Sequence, residues 1–431
     1  MNLIHPTFTT TSSYFDLCFG VKIRKSRHLF IVRSTKRTKS ETPKHEVKRK
    51  LSHILRTEAA ILGVERKAAT TTSRTLWPRA VLEALENAVA GDRWESALKI
   101  FGLLRKQNWY NPKSQTYARL LTMLGRCKQA DHARFLFQIM LSETLKPTVD
   151  VYTSLVGAYG YSGRLDEAFR TIDEMKSISD CKPDVYTYTV LINCCCKLRR
   201  FDLISKVLSE MSYFGIECTN VTYNTIVDGY GKAGMLEEMD NTVSDMLESG
   251  NCLPDLFTLN SIIWAHGNFG QIDKLEKWYD EFQHMGIEPD VTTFNILIKS
   301  YGNTCMDEKI TFVLDFMKKR CFSPTTVTYN LLIEYFGTAK NVEKMEYIFQ
   351  NMKNQGIKPN SITYCSLIKA YGKAGLLDKV GLVETMEEMF LMMRERKCKP
   401  DTVTIATMIR AYNCQGMAEA VQKLEMQMCS H

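Results

Sequence analysis

The sequence predicts an all-α solenoid of about ten helix–turn–helix units, and three observations carry that prediction. The first is a repeat. Residues 326–360, TVTYNLLIEYFGTAKNVEKMEYIFQNMKNQGIKPN, are 35 long, and versions of them run on both sides. A period of that size marks a solenoid, whose units must stack because none can bury its apolar surface alone. The second is spacing inside the unit. Numbered from Thr326, the residues Tyr329, Leu332, Ile333 and Phe336 stand at positions 4, 7, 8 and 11, one apolar stripe of a helix. Val342, Met345, Phe349 and Met352 supply a second helical run. The third is punctuation. Gly337 is expected to loosen the end of the first helix, Gly356 to stop the second, and Pro359 to close the unit.

Residues 1–20 hold one charge, Asp16, among many hydroxyls; eight Lys/Arg follow from Lys22 to Lys39 before the first glutamate, Glu41. A Ser/Thr-rich, basic, acid-poor start has the composition of an organelle transit peptide, expected over 1–50; its uncharged beginning favours the plastid over the mitochondrion. The competing reading is a basic tail that binds nucleic acid without selection. Residues 51–78 read as a linker with a short helical piece. From there the breakers Pro112, Pro147, Pro183, Pro254, Pro289, Pro324, Pro359 and Pro400, with Cys218 where a proline is due, divide the chain. The units are 79–113, 114–148, 149–184, 185–219, 220–255, 256–290, 291–325, 326–360, 361–401 and a truncated 402–431. Unit 361–401 carries six extra residues around Val383 and Phe390, expected to lengthen its second helix, and its Met386, Met389, Met392 and Met393 read as core filler. With the last unit reaching residue 431, no C-terminal catalytic domain is expected.

The net charge of +8 belongs to the leader: residues 1–50 hold 12 Lys/Arg against 3 Asp/Glu, so the other 381 residues sum to −1. Any basic surface on the array is therefore local. No apolar run is long enough for a membrane span. The 14 cysteines form no paired C-x-x-C knuckles, so neither a metal nor any other cofactor is expected, and reduced thiols of a non-secreted protein are the plain reading. Cys195 and Cys196 fall where other units have Tyr-Gly, which puts the run Cys194, Cys195, Cys196 inside a helix.

At 100° per residue, positions 2, 5, 9 and 13 of the first helix share the side opposite the stripe, a side expected to face away from the core. Position 5 reads Ala118, Thr153, Thr189, Asn224, Asn260, Asn295, Asn330, Cys365 and Ala406. An ordinary exposed helix face favours Glu, Lys, Gln and Arg, so Asn or Thr in six of these nine slots runs against propensity. Asn and Thr donate and accept hydrogen bonds, which suits the edges of single-stranded bases. The alternative is a local backbone role in the first turn, but Thr at position 3 is expected to own that. Position 13 adds Arg126, Lys197, Lys232 and Lys373, cations spaced to follow a phosphate backbone. Position 35 reads Thr148, Asp184, Thr219, Asp255, Asp290, Thr325, Asn360 and Asp401, which is also common turn chemistry after Pro.

VTYNTIVDGYGKAGMLEEM (221–239), VTYNLLIEYFG (327–337) and ITYCSLIKAYGKAGLLDK (362–379), with their G-I-x-P-[DN]-like tails, resemble pentatricopeptide repeats. The resemblance to tetratricopeptide repeats is distant, since the Trp and Leu-Gly of that class are missing. The match covers about 79–431 and is closest to the plain, P-type subfamily of plant organelles. It implies a right-handed superhelix that binds single-stranded RNA at one base per repeat through positions 5 and 35, N-terminal repeats toward the 5′ end. By that resemblance Thr153/Asp184 prefers G, Asn224/Asp255 and Asn260/Asp290 prefer U, and Asn295/Thr325 and Asn330/Asn360 prefer a pyrimidine, with C favoured at the second. Thr189/Thr219, Ala118/Thr148 and Cys365/Asp401 depart from the well-read pairs. The implied core is 5′-G-N-U-U-Y-Y-3′. Position 2 (Val221, Phe257, Val327, Ile362, Val403) is implied to wedge between bases, with Asp150 and Thr292 poorer wedges.

The function so implied is sequence-selective binding of organellar RNA in processing, stabilisation, splicing or translation, together with RNA-processing proteins and without catalysis or a small-molecule substrate. A protein-binding scaffold within an organellar ribonucleoprotein is the alternative; it calls for long side chains and aromatics where Asn and Thr stand. A nuclease needs clustered carboxylates for metal ions outside the repeats, and no such cluster is seen.

Overall fold

The computed structural model describes residues 78–373 and 380–429. The leader expected over 1–50 and the linker up to residue 77 lie outside the described residues. Twenty helices fill the described part, all but two of them 12 or 13 residues long, paired as the repeat predicts. The first helices of successive units are α1 (Pro78–Ala90), α3 (Ser114–Arg126), α5 (Val149–Tyr161), α7 (Val185–Lys197), α9 (Asn220–Ala233), α11 (Leu256–Asn268), α13 (Val291–Asn303), α15 (Thr326–Thr338), α17 (Ser361–Lys373) and α19 (Thr402–Cys414). The second helices are α2 (Trp94–Arg105), α4 (Ala130–Ser142), α6 (Leu165–Ser177), α8 (Asp202–Tyr213), α10 (Leu236–Glu248), α12 (Ile272–His284), α14 (Asp307–Lys319), α16 (Val342–Asn354), α18 (Val380–Glu395) and α20 (Ala418–Cys429). Pro78 opens α1, where its missing N–H costs nothing.

The core follows the predicted stripes. Tyr117, Tyr188, Phe294, Tyr329 and Tyr364 at position 4 are buried, as are Leu121, Val156, Ile192, Ile263 and Ile333 at position 8. Met345, Phe349 and Met352 of α16 meet them from the second layer. Each first helix packs on its own second helix and on the first helices before and after it. Second helices pack on the flanking first helices and make no comparable contact with one another. The first-helix layer is therefore the tighter one.

A glycine at position 12 sets that spacing. A Cβ on Gly337 would lie 2.4 Å from the Cβ of Ala370, and one on Gly160 2.3 Å from Cys194 Sγ, each across the seam to position 10 of the next first helix. Unit 185–219 reverses the arrangement: Cys196 stands at position 12, and Gly229 stands opposite, where a Cβ would lie 2.4 Å from its Sγ. The expectation that Gly337 loosens a helix end is corrected. It is the last residue but one of α15 and keeps helical backbone, and its missing side chain lets two helices close up. Gly337→Ala should cost about 1–3 kcal/mol by overpacking. Gly102→Ala in α2, where a Cβ meets nothing within 4 Å, should gain up to about 1 kcal/mol from helix propensity. Thermal melts of the two variants should shift in opposite directions, and equal shifts would remove the packing role.

Gly356 does end α16, at φ +71°, with Ile357 N–H donating to the Met352 carbonyl at 3.0 Å across the turn. Of the six extra residues in unit 361–401, three lengthen α18 to 16 residues; the others fall in 374–379, outside the described residues. Met386, Met389 and Met393 are buried there, as expected.

A second seam contact ties three of the first helices to the second helix of the unit before. Tyr301 Oη donates to Glu276 at 2.9 Å and Tyr371 Oη to Glu346 at 2.9 Å, position 11 reaching back to position 21. His266 holds the same place, with Nε2 2.9 Å from Asp240 Oδ1.

Candidate nucleic-acid interface

The first turn of each first helix is held by the residue just before it. Asp255 caps α11 by accepting from Thr258 N–H at 3.0 Å, while Thr258 Oγ1 accepts from Asp255 N–H at 3.0 Å, a reciprocal capping box. The same box recurs at Thr219/Thr222, Asp290/Thr293 and Thr325/Thr328. Asp184, Asn360 and Asp401 likewise accept from the N–H three residues on. Position 35 is therefore the N-cap, and the expectation that Thr at position 3 owns that role is corrected: it closes the box from inside. Position 35 stays at the surface because an N-cap precedes the packed helix. Asp184, Thr219, Asp255, Thr325, Asn360 and Asp401 are exposed and Asp290 half-buried.

Position 5 does not face away from the core. Thr153, Thr189, Asn224, Asn330 and Cys365 are buried, and Asn260 and Asn295 are half-buried. The close glycine spacing brings the first turn of the next helix over them. A first helix has neighbours on both flanks, so its outward strip is narrower than a single helical wheel suggests. Four consecutive seams repeat one contact. The position-3 hydroxyl of the following unit donates to the asparagine Oδ1: Thr258 to Asn224 at 2.7 Å, Thr293 to Asn260 at 2.8 Å, Thr328 to Asn295 at 2.7 Å and Thr363 to Asn330 at 2.6 Å. Where threonine stands at position 5, hydroxyl meets hydroxyl: Thr153 and Thr187 at 2.7 Å, Thr189 and Thr222 at 2.9 Å.

In two seams both ends of the amide are fixed. Asn224 Nδ2 donates to Asp255 Oδ1 at 3.2 Å, and Asn330 Nδ2 to Asn360 Oδ1 at 3.3 Å. Flipping Asn224 would face oxygen to oxygen. The Asn224/Asp255 seam thus presents one remaining amide N–H beside carboxylate Oδ2, which bonds no described residue. In the Asn330/Asn360 seam Asn360 Oδ1 accepts from Thr363 N–H at 3.0 Å and Asn330 Oδ1 from the Thr363 hydroxyl, so the amide groups left over are N–H donors. The last full seam differs. Cys365 offers no oxygen, Thr404 Oγ1 turns to Asp401 Oδ1 at 2.6 Å, and Lys369 Nζ occupies Asp401 Oδ2 at 2.7 Å. Burial raises the Asp401 carboxyl, but the Lys369 and Thr404 contacts outweigh it and hold it below its ordinary range.

Position 2 forms an exposed apolar row beside the caps. Val221, Ile362 and Val403 are exposed, Phe257 and Val327 half-buried. Tyr186, in the same slot of its unit, joins this row at 61% exposure and is an addition to the residues expected there. Asp150 and Thr292 are exposed as well.

The position-13 cations share the strip but are not equivalent. Arg126 is held by Asp92 at 2.6 Å and by the Val89 carbonyl, and Lys232 by Asp228 at 2.7 Å. Lys197 lies over the Tyr161 ring at 4.7 Å from its centroid, and Lys373 is exposed. The expectation of four cations alike is corrected: two are matched by carboxylates, because position 13 lies within reach of acids on its own helix and on the unit before. The three-cysteine run is helix interior, with burial pushing Cys194 and Cys196 up to about 12 and Cys195 to about 11. Among the described residues no cluster of His, Cys, Asp and Glu could hold a metal ion, and no helix is long and apolar enough to cross a membrane.

Family descriptions match most of this array: a PPR repeat family over 147–197, 191–232, 254–303 and 314–373, a PPR repeat over 221–251 and 292–322, and a pentatricopeptide repeat domain over 111–162. An Arabidopsis thaliana pentatricopeptide repeat-containing protein is 60% identical over 247 residues, 57% of this chain and 55% of its own length. Another from Arabidopsis thaliana, named chloroplastic, is 45% identical over 238 residues, 55% of this chain and 46% of its own. The chain spans about half the length of these curated relatives. Among solved structures, the pentatricopeptide repeat protein PPR10 in complex with an 18-nucleotide psaJ RNA element aligns at TM-score 0.57 and 20% identity, over 86% of this chain and 52% of that one. At that identity the likeness is one of fold.

Proposed function

We propose that this chain, which belongs to the pentatricopeptide repeat family, binds single-stranded RNA selectively, at one base per seam and without catalysis of its own. The single observation that supports this best is the seam itself. Asn224 and Asp255 are held by the protein at one face and leave a donor beside an acceptor at the other. Uracil sets its N3–H beside carbonyl oxygens and meets that pair. Cytosine can meet it too through its amino group, and the family resemblance carries the choice of uracil. At Asn330/Asn360 the outward groups are donors, which suits the adjacent acceptors N3 and O2 of cytosine, a pair uracil lacks. The proposed core remains 5′-G-N-U-U-Y-Y-3′, read from Thr153/Asp184 to Asn330/Asn360. The position-2 row, Tyr186 included, offers flat or branched apolar groups for bases to lie against. Lys369 on Asp401 leaves the Cys365/Asp401 seam outside this scheme.

The titration that tests the reading uses that core in an unstructured probe against the same probe with single bases exchanged. Affinity independent of every exchange would reject it.

The phosphate path is proposed along position 13, with Lys197 and Lys373 contributing most because no described carboxylate holds either. Lys197→Ala should make the slope of log affinity against log salt shallower by about 0.7, the release of one counterion from a single strand. Lys232 and Arg126 can contribute only by exchanging a carboxylate for a phosphate, a trade between surface ion pairs worth about 0–1 kcal/mol. An unchanged slope in Lys197→Ala would remove this path.

A plastid address for residues 1–50 is proposed from their composition, and relatives named chloroplastic agree with it. A fluorescent fusion of 1–50 should enter plastids; mitochondrial signal would change the organelle, and cytosolic signal would end the transit reading.

A further inference from the structure

We infer that the buried threonine at position 3 of the following unit, Thr258 for the Asn224/Asp255 seam, is a positioning residue for base choice. The inference rests on the reading of the seams just given and names what holds them. Thr258 is fully buried, so it cannot touch a base itself. Its hydroxyl has one proton and three polar neighbours: Asp255 N–H donates to it at 3.0 Å, Asn224 Oδ1 lies at 2.7 Å and Asp255 Oδ1 at 3.0 Å. Asp255 Oδ1 already accepts from Thr258 N–H and from Asn224 Nδ2. The proton therefore goes to Asn224 Oδ1, the nearer acceptor. That bond occupies the inner oxygen of the amide and leaves an N–H to face the groove.

The other seams supply the comparison. Thr363 makes the same bond to Asn330 at 2.6 Å, also from full burial. Thr404, whose seam has Cys365 in place of asparagine, gives its hydroxyl to Asp401 instead. The contact to the capping side chain is common to these units, with the hydroxyls of Thr187, Thr258, Thr293, Thr363 and Thr404 at 2.8, 3.0, 3.0, 3.1 and 2.6 Å from it. What varies is the position-5 partner: where asparagine stands there its oxygen is the hydroxyl's nearer acceptor, and where Cys365 stands only the cap is left, its other oxygen held by Lys369.

The test uses the full chain and the core probe with U or C at the third nucleotide, which faces Asn224, and at the fourth, which faces Asn260. Thr258→Val keeps shape and removes the donor. It should reduce the third-nucleotide preference by about fivefold, the worth of one net hydrogen bond, while the fourth-nucleotide preference stays within about twofold. Thr258→Ser should restore the third-nucleotide preference, since it returns the hydroxyl. Thr363→Val repeats the measurement at the sixth nucleotide, so that misfolding of one variant leaves the other decisive. Preferences that are retained in the valine variants, or that fall equally at both nucleotides, overturn the positioning role. A wild type that shows no preference at the third nucleotide overturns the reading of the seam itself, and the inference with it.

Discussion

Asn260→Thr is expected to move the preference at the fourth nucleotide from uracil toward guanine. Asn260 is half-buried and accepts from Thr293 at 2.8 Å, so the substitution reaches into the seam and is not a surface change. Threonine at this place has two precedents in the same chain, where Thr153 and Thr189 meet the following threonine at 2.7 and 2.9 Å. The variant should therefore fold, with a seam like theirs. Its chemistry changes in two ways. The amide N–H that met a uracil carbonyl is gone, and the shorter side chain leaves room for a purine. Asp290 keeps its cap through Oδ1, and its Oδ2 faces guanine, which offers N1–H and the N2 amino group as adjacent donors. A hydrogen bond lost without replacement costs roughly 1–3 kcal/mol, so the ratio of affinities for the U and G probes should change tenfold or more. Gel-shift titrations of wild type and variant against both probes read this directly. Equal loss for both probes would make Asn260 structural, and no change would take position 5 out of the interface.

Much of this architecture is legible in the sequence because a repeat states its packing many times over. The stripe at positions 4 and 8 and the glycine ending α16 needed no structure. What the sequence left unread are contacts between units. A helical wheel drawn for one helix places position 5 of Asn224 and Asn330 opposite the stripe and therefore outside. In the stack that side is covered by the first turn of the next unit, which the glycine at position 12 brings close. Thr258 reads as a residue of its own helix alone for the same reason: its second partner, Asn224, is 34 residues away. The pairing of Lys232 with Asp228 is legible as an i, i+4 pair on one helix, whereas that of Arg126 with Asp92 depends on the offset between units. Tyr186 could have been found from register alone, since it stands in the same slot as Val221 and Ile362.

The cluster around Asp240 should be the most sensitive point of the stack. Position 11 is tyrosine or phenylalanine in Tyr159, Tyr301, Phe336 and Tyr371, whereas unit 256–290 places His266 there, fully buried. A buried imidazole needs partners at both nitrogens. Gln271 Oε1 lies 3.2 Å from Nδ1 and Asp240 Oδ1 2.9 Å from Nε2. The same Asp240 oxygen accepts from Trp278 Nε1 at 3.0 Å, and Lys274 Nζ lies 3.4 Å from Oδ2. Burial raises the Asp240 carboxyl, but the His266 bond and charge, the Trp278 bond and Lys274 outweigh it, and it titrates below its ordinary range. A carboxyl depressed in the folded state stabilises above its unfolded pKa, near 4, and that share is lost as pH falls through the folded value. Asp240→Ala leaves two poorly solvated donors without a partner and should cost about 3 kcal/mol, taken from roughly 1–3 for each. Asp240→Asn keeps an acceptor and should cost less, while losing the acid-dependent share. His266→Phe removes the need for a partner and restores the aromatic of the other units. In that background Asp240→Ala should cost less by about 1–2 kcal/mol, the size of a direct coupling. Urea unfolding of the four proteins in the cycle, at pH 7 and again below about pH 3, measures both effects. Equal costs in the two backgrounds would mean that Asp240 supports the seam without its bond to His266.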